Sequence, residues 1–322
     1  MSLTTNFLLL AVGLTALILG GHFLVRFTIQ LSRLWGVKPL FLSVVILGMG
    51  TSAPEWFVTS VASFQESSGM ALGNVIGSNI ANILLILGLS GLFCRHPADR
   101  QVIRFDLPVF LLAIVILWFC SLNGILTRLE SGFFLILFTA YIALLFKQRK
   151  PENTSESQDL KSLPTPLQKG KKSYLFYLGG LALGFCGLFV GSILTIDSAA
   201  ELGKIFGLSE KFIGLFVLSV GTSLPELAVS FQAIFKKQEE MALGNIVGSN
   251  IFNSLFILGS AGLIRPVVVS SGFLQTDYPF LIAVSLLLFV SLLLFKSLPK
   301  ILAGSFLILY FSYLFLSARL FF

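Results

Sequence analysis

Two carboxylates stand where an apolar chain rarely places them. Glu55 lies in Gly50-Thr51-Ser52-Ala53-Pro54-Glu55 and Glu226 in Gly221-Thr222-Ser223-Leu224-Pro225-Glu226, each directly after a proline, beside Thr and Ser hydroxyls. A charged carboxylate in hydrocarbon costs about 2.5–3.5 kcal/mol even on the lenient insertion scales, so it marks a functional site by default. Each proline lacks an N–H and clashes with the carbonyl four residues back, which frees the carbonyls of Gly50 and Gly221 and their neighbours. Freed carbonyls at membrane depth are tolerated only inside protein or beside a polar cavity. Carboxylate, hydroxyl and carbonyl oxygens gathered in this way form a hard-cation site. The competing reading is a simple kink with each Glu paired to a base, but only Arg26 lies well inside an apolar span, and one Arg cannot neutralise two acids.

A second polar pattern follows each acid. Asn74, Ser78 and Asn82 are four residues apart and form one stripe of a helix beside Gly73 and Gly77; Asn245, Ser249 and Asn253 repeat it beside Gly244 and Gly248. Small residues at this spacing bring helices close together. Glycine packing and interhelical amide bonds account for Gly73, Gly77, Asn74, Asn79 and their counterparts. Ser78, Asn82, Ser249 and Asn253 are expected to be ligands or near-ligands. Every ligand on offer is oxygen, with no Cys, His or Met in the motif cores, which disfavours copper and zinc. Calcium accepts about six to eight oxygens in flexible geometry, whereas magnesium demands a strict octahedron. Two carboxylates balance one calcium ion, and sodium ions on overlapping oxygens balance the same charge.

These elements are duplicated. Residues 50–92 align without a gap to residues 221–263 and are identical at 24 of 43 positions, with an offset of 171. Upstream, Gly36 and Gly207 each end a long helix at the same offset, before a short polar hairpin.

The rest of the chain must hold these motifs in a bilayer. At 56% hydrophobic and 11% charged over 322 residues, it is far too apolar for a soluble globule, where roughly a quarter of residues carry charge. Apolar windows near the roughly 20 residues that span a bilayer recur ten times, at 5–30, 39–64, 69–93, 105–122, 129–146, 174–203, 210–235, 240–263, 278–295 and 300–320. The expected class is an all-α integral membrane protein with ten transmembrane helices. The first span lacks a basic start and a small-residue cleavage site and reads as a retained helix. Residues 147–173, rich in Pro, Ser, Lys and Gln, read as a linker between a first repeat (1–146) and a second (174–322). Five spans per half place the second copy in the membrane upside down, an inverted-topology repeat of the kind found in secondary transporters. Of the 22 Lys and Arg, 17 fall on one side of this topology. The positive-inside rule then sets both termini outside. The spans at 105–122, 129–146, 278–295 and 300–320 carry almost nothing polar and read as lipid-facing scaffold. Cys94, Cys120 and Cys186 match no metal or redox spacing and read as packing residues, as does His22.

At Gly50–Glu55 with Gly73–Asn82, and at Gly221–Glu226 with Gly244–Asn253, the chain resembles the calcium/cation antiporter family, in particular its prokaryotic sodium/calcium exchangers with two inverted alpha-repeats. The resemblance implies four central helices carrying the repeats, with two long helices, 5–30 and 174–203, sliding across them. It implies that Glu55 and Glu226 coordinate calcium with the carbonyls of Thr51 and Thr222. It implies further that Ser52, Ser78, Ser223 and Ser249 complete sodium sites with the carbonyls of Gly48 and Ser219, with Asn82 and Asn253 at the centre. Asn253 stands where some members carry the Asp associated with potassium dependence, which counts against potassium coupling.

The expected function is a secondary active antiporter in the cell (inner) membrane, exchanging sodium for calcium by alternating access and working as a monomer among membrane lipid. The alternative is a proton-coupled calcium exchanger using the same Glu pair; a cation channel and a membrane enzyme are more distant readings. No cofactor, no nucleic-acid partner and no catalytic chemistry are expected.

Overall fold

The computed structural model describes residues 2–148, 171–207 and 219–320. The expected linker, apart from its margins, and the first part of the expected span 210–235 lie outside the described residues. α1 (Leu3–Trp35) is 33 residues long, about 50 Å at roughly 1.5 Å per residue. Gly36 ends it in the left-handed conformation, φ 66°, where a side chain would be strained. α2 (Pro39–Thr51) and α3 (Ala53–Phe64) form one span bent by 42°. α4 (Ser68–Phe93), α5 (Val102–Ser121) and α6 (Arg128–Gln148) complete the first half. α7 (Lys171–Ile205), the short α8 (Ser219–Thr222), α9 (Leu224–Phe235), α10 (Glu239–Ile264), α11 (Phe273–Phe295) and α12 (Lys300–Leu320) form the second. Eight helices are long and apolar enough to cross a bilayer, and the bent pair makes a ninth among the described residues. The fold is that of a ten-helix membrane protein.

Two short ladders show the inverted repeat directly. β1 (His96–Pro97) pairs with β4 (Ser297–Leu298), and β2 (Ile125–Leu126) pairs with β3 (Val267–Val268). His96 faces Leu298 in one ladder, and Val267 faces Leu126 in the other. Val267 is His96 displaced by 171, and Leu298 is Leu126 displaced by 172, so the same contact is made twice with the halves exchanged. The first ladder lies beside the Lys38–Asp99 ion pair through residues 96–99, and the second lies beside Ser68, whose hydroxyl accepts from the Val268 N–H. They close opposite ends of the bundle.

α4 and α10 are the most enclosed spans. Around them the scaffold helices are more polar inside than the sequence suggests. Asp106, wholly buried at the start of α5, accepts from Tyr141 Oη of α6 at 3.0 Å and from Gln101 at 3.3 Å. Asp277 at the start of α11 accepts from Tyr313 Oη of α12 at 2.7 Å. The reading of these spans as having almost nothing polar is corrected: each pair is clasped by a duplicated Asp–Tyr bond. A buried hydroxyl–carboxylate bond satisfies both partners, which is why the acid is tolerated there.

The long helices α1 and α7 lie against one another along a glycine seam. A methyl added at Gly20 would stand 2.7 Å from the Leu188 nitrogen, and one at Gly191 would stand 2.8 Å from the Leu17 nitrogen. Gly13 and Gly184 are equally tight, and Gly187 faces Gly20 with slightly more room, at 3.2 Å. Backbone meets backbone, so the two helices form one body.

Candidate functional site

Both Pro-Glu motifs break their spans at the serine. Ser52 has φ −85° and ψ 12°, Ser223 φ −90° and ψ 6°, and a new helix starts after each. Glu55 and Glu226 therefore sit in the first turn of α3 and α9, where unpaired N–H groups and the helix dipole favour a negative charge. Both are fully buried, and they lie within electrostatic reach of one another.

One oxygen network crosses the repeat boundary. Ser52 Oγ donates to Glu226 Oε1 at 2.8 Å, and Ser249 Oγ lies 3.5 Å from the same oxygen. Ser249 Oγ is also 3.1 Å from the Gly48 carbonyl and 3.2 Å from Thr51 Oγ1. Gly48 permits this: a methyl there would come within 2.7 Å of the Gly248 backbone. The structure thus gathers Gly48, Thr51, Ser52, Ser249 and Glu226 from α2, α9 and α10.

The remaining polar atoms are held without being satisfied. The buried oxygens without a hydrogen-bond partner among the described residues include six on these motifs: both of Glu55, Oε2 of Glu226, Oδ1 of Asn82 and of Asn253, and Oγ of Ser223. Ser78 is buried on the same face of α4 as Asn82. Thr222 is half-buried at the end of α8, and Ser219 begins that helix; its side chain lies outside the described residues. Two buried carboxylates and unpaired neutral oxygens call for positive charge, because each orphaned acceptor costs about 1–3 kcal/mol and a charged one more. The donor set is oxygen throughout. Among the described residues no group of three or more His, Cys, Asp or Glu forms a cage of softer ligands.

Asn79 and Asn250, expected to make interhelical amide bonds, do so and orient this set. Asn82 Nδ2 donates to Asn250 Oδ1 at 2.9 Å, and Asn253 Nδ2 donates to Asn79 Oδ1 at 3.2 Å. These are one contact seen twice, since Asn250 and Asn253 are Asn79 and Asn82 displaced by 171. With the NH₂ of each amide committed outward, its oxygen is left as the free end. The signal in the sequence was a pair of asparagines three apart in both copies. Each π-helical turn that follows, Asn82–Ile86 and Phe252–Ile257, widens the helix at that amide. Asn74, expected to make amide bonds, donates to the Glu55 carbonyl at 3.1 Å and to Thr59 at 2.8 Å.

The two copies differ in cover. Thr51, Gly244, Asn245 and Gly248 are buried, whereas Thr222, Gly73, Asn74 and Gly77 are half-buried. The less buried of the two copies is thus the one on α4, nearer Ser68.

The family model described as sodium/calcium exchanger protein matches residues 5–147 and 176–319. The chain is 34% identical to the inner membrane protein YrbG of Escherichia coli over 87% of its length and 86% of that protein's. It is 29% identical to the sodium/calcium exchanger MaX1 of Methanosarcina acetivorans, covering 89% of this chain and 91% of that one. A solved structure of the sodium-calcium exchanger NCX_Mj, soaked with Na⁺ and Sr²⁺, matches with a TM-score of 0.83 at 27% identity, over 97% of this chain and 98% of that chain.

Proposed function

The chain belongs to the sodium/calcium exchanger family, and from that premise we propose that it is a secondary active antiporter exchanging sodium for calcium across the cell (inner) membrane. Membership makes it a multi-pass membrane protein of a cation/calcium antiporter family. The finer reading is that calcium and sodium compete for one site built by Glu55 and Glu226. The observation that carries it is the pair of fully buried acids, one from each inverted copy, with unpartnered acid oxygens on α3 and α9, amide oxygens on α4 and α10, and the Ser223 hydroxyl at the second break. Calcium neutralises both acids at once. Sodium ions on the hydroxyls of Ser52, Ser78, Ser223 and Ser249, the carbonyls of Gly48, Thr51, Thr222 and Ser219, and the same acids do so in turn, with Asn82 and Asn253 at the centre.

Coupling follows from charge. Moving the α1–α7 body past a core with two bare carboxylates is opposed by their desolvation, and either cargo relieves it. Empty transitions are suppressed, so flux of one ion requires counterflux of the other. The excess of basic residues on one side supports both termini outside and the 147–173 segment as a cytoplasmic linker; in this reading the monomer is the working unit.

The test is calcium-45 uptake into proteoliposomes with the internal cation varied. Uptake that requires internal sodium is expected. Uptake indifferent to sodium and driven by a pH gradient would replace this reading with proton-coupled exchange at the same Glu pair.

A further inference from the structure

We propose that Ser192 is a positioning residue that latches the moving α1–α7 body onto the second Pro-Glu break in one of the two transport conformations. This rests on the antiport reading and adds a residue outside the ion-binding motifs. Gly221 lies four residues before Pro225, so its carbonyl has no helical N–H to accept. Ser192, 1% exposed on α7, supplies the missing donor: its Oγ lies 3.2 Å from the Gly221 carbonyl. That carbonyl is adjacent to Thr222, one of the proposed ligands.

The bond joins two different bodies. α7 is fused to α1 by the glycine seam, and its contacts on the breaks are otherwise apolar side chains laid on glycine. Ile196 covers Gly221 and the Phe185 ring covers Gly50, each so closely that neither glycine could carry a methyl. Such surfaces slide without a large change in energy. A hydroxyl seated on an orphaned carbonyl does not.

The inverted repeat gives the latch a direction. An inverted repeat reaches its second state when the two halves exchange conformations. The counterpart of Ser192 is Gly21 and that of Gly221 is Gly50, both displaced by 171. In the exchanged state Gly21 would stand over the Gly50 carbonyl, and glycine has no hydroxyl to offer. In the conformation described here the Gly50 carbonyl takes the Ser52 N–H. The latch therefore exists only in the conformation described here, in which the cover is thinner on the Ser68 side of α4, and favours it by the roughly fivefold factor of one net hydrogen bond.

The experiment compares Ser192→Ala and Ser192→Thr with the wild type in proteoliposomes of one orientation, reading calcium half-saturation separately at each face. In Ser192→Ala, half-saturation at the Ser68 face should rise by up to about fivefold while that at the opposite face falls, with sodium dependence intact. Ser192→Thr, which keeps the hydroxyl, should restore both. Unchanged values, or a shift of both faces in the same direction, would overturn the latch. A second readout does not depend on transport: spin labels at exposed Leu183 on α7 and Phe93 on α4 report the distance between the two bodies. Ser192→Ala should move population between two distance peaks, and an unchanged distribution overturns the proposal. If the wild type exchanges no calcium, the antiport reading fails, and the spin-label distances still decide the latch.

Discussion

Ser52 donates to Glu226 across the repeat boundary at 2.8 Å, while the hydroxyl of its counterpart, Ser223, has no partner among the described residues. The two acids are related by duplication but are not solvated alike: Glu226 is held by Ser52 and Ser249, and Glu55 has both oxygens free. A site with one committed and one uncommitted carboxylate is poised to accept a cation at the second. The same asymmetry appears in cover, with Thr51 buried and Thr222 half-buried.

Removing the Ser52 hydroxyl should therefore weaken cation binding from the Ser68 face. A hydrogen bond to a charged group is worth about 1.5–3 kcal/mol, so Ser52→Ala should raise calcium half-saturation at least about tenfold. The measurement is uptake against calcium concentration. Values within twofold of wild type would show that the bond is incidental to binding.

Asn79 and Asn250 should act through the amides they hold. In Asn250→Ala, the Asn82 amide loses its anchor and its oxygen is no longer presented to the site. Half-saturation should rise about fivefold, on the scale of one hydrogen bond. Asn250→Asp keeps an acceptor for the Asn82 NH₂ and should stay closer to wild type. Equal damage from both variants would point to packing instead of orientation.

Much of this was legible in the sequence, and the reasons for the rest are physical. The Pro-Glu breaks were readable because proline has a local consequence: the bend falls at Ser52, and Gly36 and Gly207 end their helices at positive φ as expected. The inverted topology followed from counting spans. What stayed hidden depends on which faces meet. The Asn79–Asn253 and Asn82–Asn250 contacts join residues 174 and 168 apart, and no helical period relates them. Asp106 falls in a span read as carrying almost nothing polar, and its partner Tyr141 stands 35 residues on, in the next helix. The glycines of α1 and α7 signal close approach but do not name the partner.

The seam should tolerate nothing larger than glycine. At Gly20 the added methyl meets main chain at 2.7 Å, so no side-chain rotation relieves the contact. Gly20→Ala should destabilise the protein by about 1–3 kcal/mol, the usual cost of overpacking. Gly69→Ala, where a methyl meets nothing within 4 Å among the described residues, should be nearly neutral. Thermal midpoints in detergent check the pair, and equal midpoints would contradict a tight seam.

His96, between α4 and α5, should make stability fall in mild acid. Ser90 Oγ lies 2.6 Å from the Ile86 carbonyl and donates to it, so His96 Nε2, 2.8 Å from that hydroxyl, is the donor to it. Burial pushes the imidazole from its ordinary 6.5 down to about 4. The unfolded chain takes up its proton near pH 6.5 and the folded chain only near pH 4. Stability is therefore full above pH 6.5 and declines as pH falls between these values, by roughly 3 kcal/mol at about 1.4 kcal/mol per unit. The fall in thermal midpoint from pH 7 to pH 4.5 should be shallower in His96→Gln. An equal fall in both proteins would remove His96 as its cause.

The most direct measurement is calcium-45 exchange by Glu55→Gln and Glu226→Gln, each alone, in sodium-loaded proteoliposomes beside the wild type. The side chains stay nearly the same size, so both variants should elute and melt as folded protein. Each should lose exchange to the level of empty vesicles, because one carboxylate cannot balance calcium in a buried site. Sodium-dependent calcium uptake near wild-type rates by either folded variant would contradict a single site shared between the two halves.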